Sequence, residues 1–156
     1  MAALKQLPLI VLLSLALVSG RTWPQQKLDE RAQAAIDETV AVYCAAWGEP
    51  DAAKRRQMLQ RVWAAEGTYM DPISQTKGVD GLVERINGFQ SKLPGGQIVP
   101  ASRVDVHHNV LRFAWRLVGP DGAILNEGMD FATLAPDGRL QSVVGFFGPV
   151  RTPGAR

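Results

Sequence analysis

The chain has 156 residues, of which 46% are hydrophobic and 21% are charged, values that are ordinary for one globular domain. Its 17 Lys and Arg residues stand against 15 Asp and Glu residues, and the two signs are interspersed along the sequence. This charge pattern excludes a basic nucleic-acid-binding surface, so we predict no nucleic-acid partner.

The first 20 residues have the pattern of a secretory signal peptide. Lys5 supplies a positive charge, residues 9–18 form an apolar run, and Val18-Ser19-Gly20 offers small side chains for cleavage. The run is shorter than the ~20 residues that a membrane-spanning helix needs. We therefore predict an exported protein, periplasmic or secreted, that has no membrane anchor after cleavage at residues 1–20. Residues 21–27 are predicted to form a polar tether.

Cys44 is the single cysteine, so no internal disulfide can form even in an oxidising compartment. It lies on a predicted helix, four residues after Val40, and this position favours a small buried hydrophobe. The alternative, a nucleophilic cysteine, requires a His partner at close range.

The globular domain is predicted over residues 28–150, with a short tail at 151–156, and it begins with two helices. The first helix is broken by Gly48 and Pro50, and the second begins near Pro50 and is predicted to continue to Gly67. Four residues at the i, i+4, i+7, i+11 spacing form the buried face of the first helix: Ile36, Val40, Tyr43 and Trp47.

A short strand and a third helix follow. The strand is predicted over Thr68–Asp71 and is ended by Pro72, and residues 74–78 are predicted to form a turn. Asp80 is placed to cap the third helix, which ends at Pro94-Gly95-Gly96. Its apolar stripe consists of Leu82, Ile86, Phe89 and Leu93.

In the remaining chain the hydrophobic period shortens to that of strands joined by tight turns. Apolar and polar side chains alternate over residues 111–117, and two further strands are predicted over 123–134 and 140–147. Gly-Pro-Asp-Gly at 119–122 and Pro-Asp-Gly at 136–138 supply the turns. Three helices followed by antiparallel strands predict an α+β fold, with the helices on one face of a sheet.

Three polar side chains are predicted to lie in apolar surroundings: Tyr43 on the first helix, Asp71 at a strand end, and Asp130 within a later strand. A buried carboxylate must be paired, protonated or used chemically, because leaving it charged and unpaired costs several kcal/mol. Gly128 and Ala132 flank Asp130 on its face of the strand and leave room for a ligand. Each residue also has a structural explanation: a core tyrosine, an Asp-Pro turn, and an aspartate held by hydrogen bonds.

The segments around these three residues resemble the nuclear transport factor 2-like (NTF2-like) superfamily. The resemblance covers roughly residues 35–149 and rests on Tyr43-Cys44-Ala45-Ala46-Trp47, on Thr68-Tyr69-Met70-Asp71-Pro72, and on the segment from Asp130 to Gly148. Within the superfamily, the ketosteroid isomerases and the SnoaL-like polyketide cyclases are the enzymes to compare. The resemblance implies a cone in which three N-terminal helices pack on a strongly curved, mostly antiparallel sheet that encloses a pocket.

The resemblance also implies roles for the three residues. In ketosteroid isomerase an aspartate removes a proton next to a carbonyl, and a tyrosine and a protonated aspartate stabilise the oxyanion that forms. Carried over, Asp71 is the expected base, and Tyr43 and Asp130 are the expected oxyanion donors. No metal and no organic cofactor are implied.

The ligand implied by the resemblance is small and either hydrophobic or carbonyl-containing, and five aromatic residues are predicted to line its pocket. At their helical and strand spacing each would equally well fill the core. They are Trp63, Phe89, Phe113, Trp115 and Phe147. Superfamily members dimerise through the sheet, so a homodimer is expected through the face that carries Arg112, Ala114 and Arg116.

His107 and His108, which follow Asp105, raise the alternative of a zinc site or a general base. Adjacent residues on a strand point to opposite faces, so the two rings are not expected to share one metal. Together with Asn109 they are predicted to form a tight turn. The sequence contains no phosphate-binding glycine motif, no Ser-His-Asp motif and no Cys-rich metal motif.

Two functions are therefore predicted. The first is an exported, cofactor-independent isomerase or cyclase that transfers a proton α to a carbonyl. The alternative is a non-catalytic ligand-binding or dimerisation module in which Tyr43, Asp71 and Asp130 form a buried hydrogen-bond network. An open cavity with Asp71 facing the other two residues favours the enzyme, and a filled interior with all three satisfied favours the binding module.

Overall fold

Three helices and seven strands make up the computed structural model, which describes residues 29–150 and 152–154. In chain order they are α1 (Glu30–Gly48), α2 (Ala52–Val62), β1 (Trp63–Asp71), β2 (Ser74–Lys77), α3 (Gly78–Lys92), β3 (Gln97–Pro100), β4 (Asp105–His107), β5 (Val110–Val118), β6 (Ile124–Leu134) and β7 (Leu140–Phe147). The predicted signal peptide and tether lie outside the described residues. Within these residues, no helix is long and apolar enough to cross a membrane.

The strands form one sheet in the order β2-β1-β7-β6-β5-β3, and β4 also pairs with β5. Every pairing is antiparallel except that of β1 with β7, which is parallel. The last strand is therefore an interior strand that joins the β1–β2 hairpin to the remaining strands. The predicted α+β class is confirmed, and the sheet is mostly antiparallel.

Helices and sheet share one hydrophobic core. On β5 the side chains of Leu111, Phe113 and Trp115 are buried and alternate with exposed Arg112 and Arg116, as the period of two predicts. The predicted inner face of α1 is buried at Val40, Tyr43 and Trp47 and half-buried at Ile36.

The boundary between the second helix and the first strand differs from the prediction. The helix ends at Val62 and the strand begins at Trp63, whereas the sequence pattern predicted helix as far as Gly67. Trp63 pairs with Leu140, and the register shifts before Thr68, so the buried positions do not alternate regularly and the strand pattern is hidden. A Cβ at Gly67 would lie 2.6 Å from Trp63 Nε1. Gly67 therefore leaves space for the Trp63 indole ring, and it does not end a helix.

The segment predicted as a turn at residues 74–78 instead contains β2, which pairs with β1, and the turn consists of Pro72-Ile73. The Asp71 carboxylate accepts the Ile73 N–H at 2.9 Å and the Ser74 hydroxyl at 3.0 Å. These bonds close the turn within two residues, which leaves the following polar residues free to pair as a strand.

Helix α3 begins at Gly78, two residues before the predicted cap. Gly78 has a φ of 73°, a conformation that glycine adopts without steric cost and that turns the chain directly from β2 into the helix. Asp80 lies within the first turn and forms an ion pair with Arg56. The helix ends at Lys92, just before the predicted Pro-Gly-Gly stop.

Candidate functional site

A cavity of about 170 Å³ lies between the helices and the inner face of the sheet. Five of its wall residues carry a hydroxyl, amide or charged group: Tyr43, Tyr69, Arg85, Asn126 and Asp130. The rest of the wall is aromatic or aliphatic, and it includes three of the five predicted pocket residues, Phe89, Trp115 and Phe147. A mostly apolar cavity with a few convergent polar groups is the common form of a small-molecule site.

The other two predicted pocket residues, Trp63 and Phe113, lie in the core and do not line this cavity. The Trp63 ring stacks on the Tyr43 ring with centroids 5.8 Å apart, and Phe113 meets the same ring edge-on at 6.3 Å. Both aromatics therefore pack against the Tyr43 ring from the core side, and Tyr43 itself faces the cavity.

Asp130 is the buried carboxylate of the cavity wall. It lies on β6 opposite Phe113 of β5, and its side chain shares the inner face of the sheet with Trp115. The Trp115 indole Nε1–H donates to Oδ1 at 2.7 Å, and the Tyr43 hydroxyl donates to Oδ2 at 3.4 Å. The first of these bonds is short and the second is long, so Oδ2 is the less firmly engaged oxygen.

Burial raises the pKa of Asp130 from 3.8 to about 6, since the charged form loses its hydration. Hydrogen bonds from Trp115 and Tyr43 oppose this rise, and the charge of Asp71 adds to it. Because an indole N–H can only donate, Oδ1 is held as an acceptor. With a pKa of about 6, Asp130 is mostly a carboxylate at neutral pH, and it titrates close to the pH range in which a general base is most effective.

Tyr43 remains a neutral phenol. Burial, and next the charge of Asp130, raise its pKa well above the ordinary value of 10.0. The hydroxyl therefore keeps its proton and acts as a hydrogen-bond donor at the cavity wall.

Asp71 is held in a network of its own on the same side of the sheet. Its Oδ1 accepts the Ile73 N–H and the Ser74 hydroxyl, while Oδ2 accepts Arg85 Nη2 at 2.7 Å and the Tyr69 hydroxyl at 2.9 Å. Burial acts to raise the pKa of Asp71, but Arg85 and the other donors outweigh it, and the pKa lies below its usual value. Asp71 is thus an ionised carboxylate with four partners.

Tyr43 and Asp130 lie together in the cavity wall. Asp71 does not line the cavity, but its partners Tyr69 and Arg85 do. Gly145 of β7 lies between the two aspartates. A Cβ at Gly145 would be 2.9 Å from Asp130 Oδ1 and 3.8 Å from Asp71 Cβ. Asp71 on β1 and Asp130 on β6 therefore lie on either side of β7 with no side chain between them at this position.

Sequence reasoning did not identify Arg85, Tyr69 or Trp47 as site residues. Arg85 follows Leu82 by three residues and so lies on the apolar stripe of α3, where a charged residue is unexpected; this was the available signal. Tyr69 alternates with Asp71 along β1 and shares its face, which also could have been noticed. Trp47 was assigned to the core, and no pattern distinguishes a cavity wall from a filled core.

Comparison with solved structures finds proteins that are similar to this chain. A protein of the SnoaL-like family from Agrobacterium tumefaciens strain C58 is 37% identical, matches 76% of this chain and 99% of its own, and superimposes with a TM-score of 0.69. The chain belongs to the SnoaL-like family. This confirms the resemblance derived from the sequence. No family model matches the sequence, and no curated protein matches it either.

More distant structures share the fold of this SnoaL-like family member. A protein from Jannaschia sp. CCS1, assigned as a SnoaL-like polyketide cyclase, is 17% identical over 78% of this chain and 90% of its own, with a TM-score of 0.62. A protein from Catenulispora acidiphila with a ketosteroid isomerase-like fold is 14% identical over 71% and 85%, with a TM-score of 0.59. At these identities the comparison supports the NTF2-like fold and nothing finer.

The SnoaL-like chain carries its two histidines away from the cavity, at the turn between β4 and β5. His108 has a φ of 55°, and this left-handed conformation brings its Nδ1 to 3.4 Å from Nδ1 of His107. The prediction of a turn is confirmed, because His107 ends β4 and His108 and Asn109 form the turn before β5. Within the described residues no group of three potential metal ligands occurs.

Proposed function

We propose that the protein is a cofactor-independent isomerase or cyclase that moves a proton next to a carbonyl group, with Asp130 as the base. The observation that carries this proposal is the position of Asp130: it is the one carboxylate on the cavity wall among the described residues, and it contacts the neutral Tyr43 hydroxyl. Its pKa of about 6 suits reversible proton transfer near neutral pH.

The proposed reaction begins with Asp130 as a carboxylate. One of its oxygens takes a proton from the carbon next to the substrate carbonyl, the electron pair of the broken C–H bond forms a C=C bond, and the carbonyl oxygen becomes an enolate oxygen. The neutral carboxyl group then returns the proton to another carbon of the conjugated enolate. The Tyr43 hydroxyl stays protonated, and in this step its single O–H turns from Asp130 Oδ2 to the enolate oxygen, where it stabilises the developing charge.

This assignment differs from the one implied by the resemblance, in which Asp71 is the base. A base must reach the substrate and must not already be committed to other donors. Asp71 accepts four hydrogen bonds, pairs with Arg85, and lies outside the cavity wall. Its role in the proposal is to hold Arg85 and Tyr69 in the wall, and Asp130 takes the part of the base.

The dimensions and charge of the cavity limit the substrate. A void of about 150 Å³ in a protein interior holds a molecule the size of benzene, and the cavity here is about 170 Å³. Arg85 is neutralised by Asp71, so Asp130 contributes the unbalanced charge. A neutral ketone of about one ring fits these conditions better than a carboxylate or a four-ring steroid enclosed as a whole.

The test is an assay of small cyclic β,γ-unsaturated ketones, followed by the absorbance of the conjugated product. Loss of a positioned general base costs roughly 10²–10⁴-fold in rate, so we expect Asp130→Asn to lower kcat by that factor. Asp71→Asn is the matched control, since it removes a buried carboxylate that does not line the cavity. A larger loss of kcat in Asp71→Asn than in Asp130→Asn would assign the base to Asp71 instead.

A second candidate function is a non-catalytic ligand-binding module. It is favoured by the degree to which both carboxylates already have hydrogen-bond partners, four for Asp71 and two for Asp130. Binding of cyclic ketones with no conversion by the parent protein over the whole series would support this function and rule against the enzyme.

We further propose a homodimer through the outer face of the sheet. Besides Arg112 and Arg116, this face exposes Met70, Phe131 and Phe146 on neighbouring strands, with Phe131 and Phe146 in edge-to-face contact at 6.0 Å. Contiguous exposed aromatics of this kind are typical of protein interfaces. Phe146→Glu should convert the dimer to a monomer in sedimentation equilibrium, and a parent protein that is itself monomeric would refute the proposal.

Export is proposed from residues 1–20 alone. Expression of the full chain with a secretion-competent host should yield a mature protein that begins near Arg21, as measured by mass spectrometry of the periplasm or medium. Recovery of the uncleaved chain from the cytosol would contradict the proposal.

A further inference from the structure

Trp47 carries a buried hydrogen-bond donor that the protein does not use. Trp47 lines the cavity and is 4% exposed, and its Nε1–H has no partner within the described residues. The other indole of the wall, Trp115, donates to Asp130 at 2.7 Å. A buried donor without a partner is costly and rare in a native fold, so its presence at a cavity calls for a partner that the ligand brings.

Aromatic side chains and a guanidinium group pack around the Trp47 ring on several sides. Phe89 meets it edge-on at 5.6 Å, Tyr69 packs at 5.4 Å and a tilt of 53°, and Tyr43 meets it edge-on at 6.4 Å. The Arg85 guanidinium carbon lies 5.3 Å from the ring centroid. A cation over the face of an indole draws electron density from it, which makes the N–H a stronger donor.

Trp47 lies beside the two polar residues proposed for the reaction. It lines the same cavity as Tyr43, and the two rings meet edge-on with centroids 6.4 Å apart. The Tyr43 hydroxyl in turn contacts Asp130. Trp47, Tyr43 and Asp130 are therefore neighbours in the cavity wall, and each carries a polar group that a ligand could engage.

We propose that Trp47 is a catalytic residue whose Nε1–H, together with the Tyr43 hydroxyl, donates to the carbonyl oxygen of the substrate. On binding, the single O–H of Tyr43 turns from Asp130 Oδ2 to the carbonyl oxygen, and because Tyr43 contacts Asp130 the neighbouring carbon of the substrate is then close to the proposed base. As Asp130 removes the proton and charge develops on the oxygen, both donors strengthen. This inference rests on the proposed proton transfer and names the group that stabilises the enolate.

Trp63 provides a matched control within the same chain. Its Nε1–H is also buried without a partner, and its ring also packs on Tyr43, but it does not line the cavity. Trp63→Phe and Trp47→Phe therefore make the same chemical change, the loss of an indole N–H, in rings that both contact Tyr43. They differ in that only Trp47 lines the cavity.

The experiment measures the affinity of para-nitrophenolate, a one-ring oxyanion that mimics the enolate, from the change in its absorbance on binding. Asp130→Asn is the background for all proteins, because it removes the charge that would repel the probe. A hydrogen bond to a charged group is worth enough to change affinity by about tenfold or more. We expect Trp47→Phe to weaken binding about tenfold or more and Trp63→Phe to leave it within about threefold.

Equal affinities for Trp47→Phe and its background, or no binding of the probe to the background protein, would overturn the inference. If Trp47→Phe does not fold, the indole N–H resonance of Trp47 is followed by NMR instead: the inference requires it to move downfield when the probe is added, and an unchanged resonance refutes it.

The outcomes separate this inference from the proposed function. Turnover that depends on Asp130, combined with phenolate binding that ignores Trp47, leaves the base in place and removes the donor. Phenolate binding that depends on Trp47, in a parent protein with no turnover of any ketone, keeps the donor and removes the reaction.

Discussion

Replacement of Asp130 by Asn is expected to stabilise the protein, although it removes the proposed base. Asp130 is 5% exposed, and burial raises its pKa from 3.8 to about 6. Each unit of pKa difference is worth about 1.4 kcal/mol, so folding with an ionised Asp130 costs about 3 kcal/mol. Asn keeps an oxygen for the Trp115 N–H and carries no charge. Above the pKa of about 6, we therefore expect Asp130→Asn to raise the free energy of unfolding by about 3 kcal/mol.

The sign of the pH dependence identifies the cause. A carboxyl group with a raised pKa binds more protons in the folded state, so its contribution to stability is lost as the pH rises from about 4 to about 6. The advantage of Asp130→Asn should thus be about 3 kcal/mol at roughly pH 8 and close to zero at roughly pH 4.

Urea denaturation followed by tryptophan fluorescence, at a series of pH values, measures this difference. Asp71→Asn is the control of opposite sign, because the pKa of Asp71 is lowered and its contribution is present above the ordinary value and lost as the pH falls. A difference between parent and Asp130→Asn that does not change with pH, or that has the opposite sign, would refute the electrostatic description of the site.

Three further predictions concern the neighbours of the two carboxylates. Arg85→Met leaves Asp71 buried without its cation and should lower the free energy of unfolding by about 3–5 kcal/mol in urea denaturation, and Asp71→Asn in the same chain should recover part of it; full additivity of the two changes would contradict the ion pair. Gly145→Ala places a Cβ 2.9 Å from Asp130 Oδ1, so we expect about 1–3 kcal/mol of destabilisation and weaker para-nitrophenolate binding by the absorbance titration. Gly88 lies on α3 with no atom within 4 Å of a new methyl group, so Gly88→Ala should raise the free energy of unfolding, measured by calorimetry, by up to about 1 kcal/mol. A loss of stability in this variant would contradict the contacts described around α3.

The helix stripes and the alternation along β5 were predictable from the sequence because each reflects one buried face with a fixed period. The start of β1 was not, since the irregular register at Trp63 removes the period of two and Gly67 resembles a helix stop. The place of β7 inside the sheet also could not be read from periodicity, because strand order depends on pairing between distant segments.

At the site, the sequence located Tyr43, Asp71 and Asp130 on elements that do converge on one side of the sheet. It could not tell which carboxylate faces the cavity, since that depends on Arg85 reaching Asp71 from α3, across 14 residues of chain. The predicted pocket aromatics divide for a similar reason. Trp63 and Phe113 have the same inward direction as Trp115, and only the packing around Tyr43 decides that they fill the core.

The most direct test of the central claim, that Asp130 rather than Asp71 is the proton-transfer group, is a titration of both side-chain carboxyls by carbon-detected NMR. Asp130 is expected to titrate at about 6, and Asp71 below the ordinary value for aspartate. Asp71 titrating near 6 while Asp130 stays ionised through that range would contradict the assignment of the base.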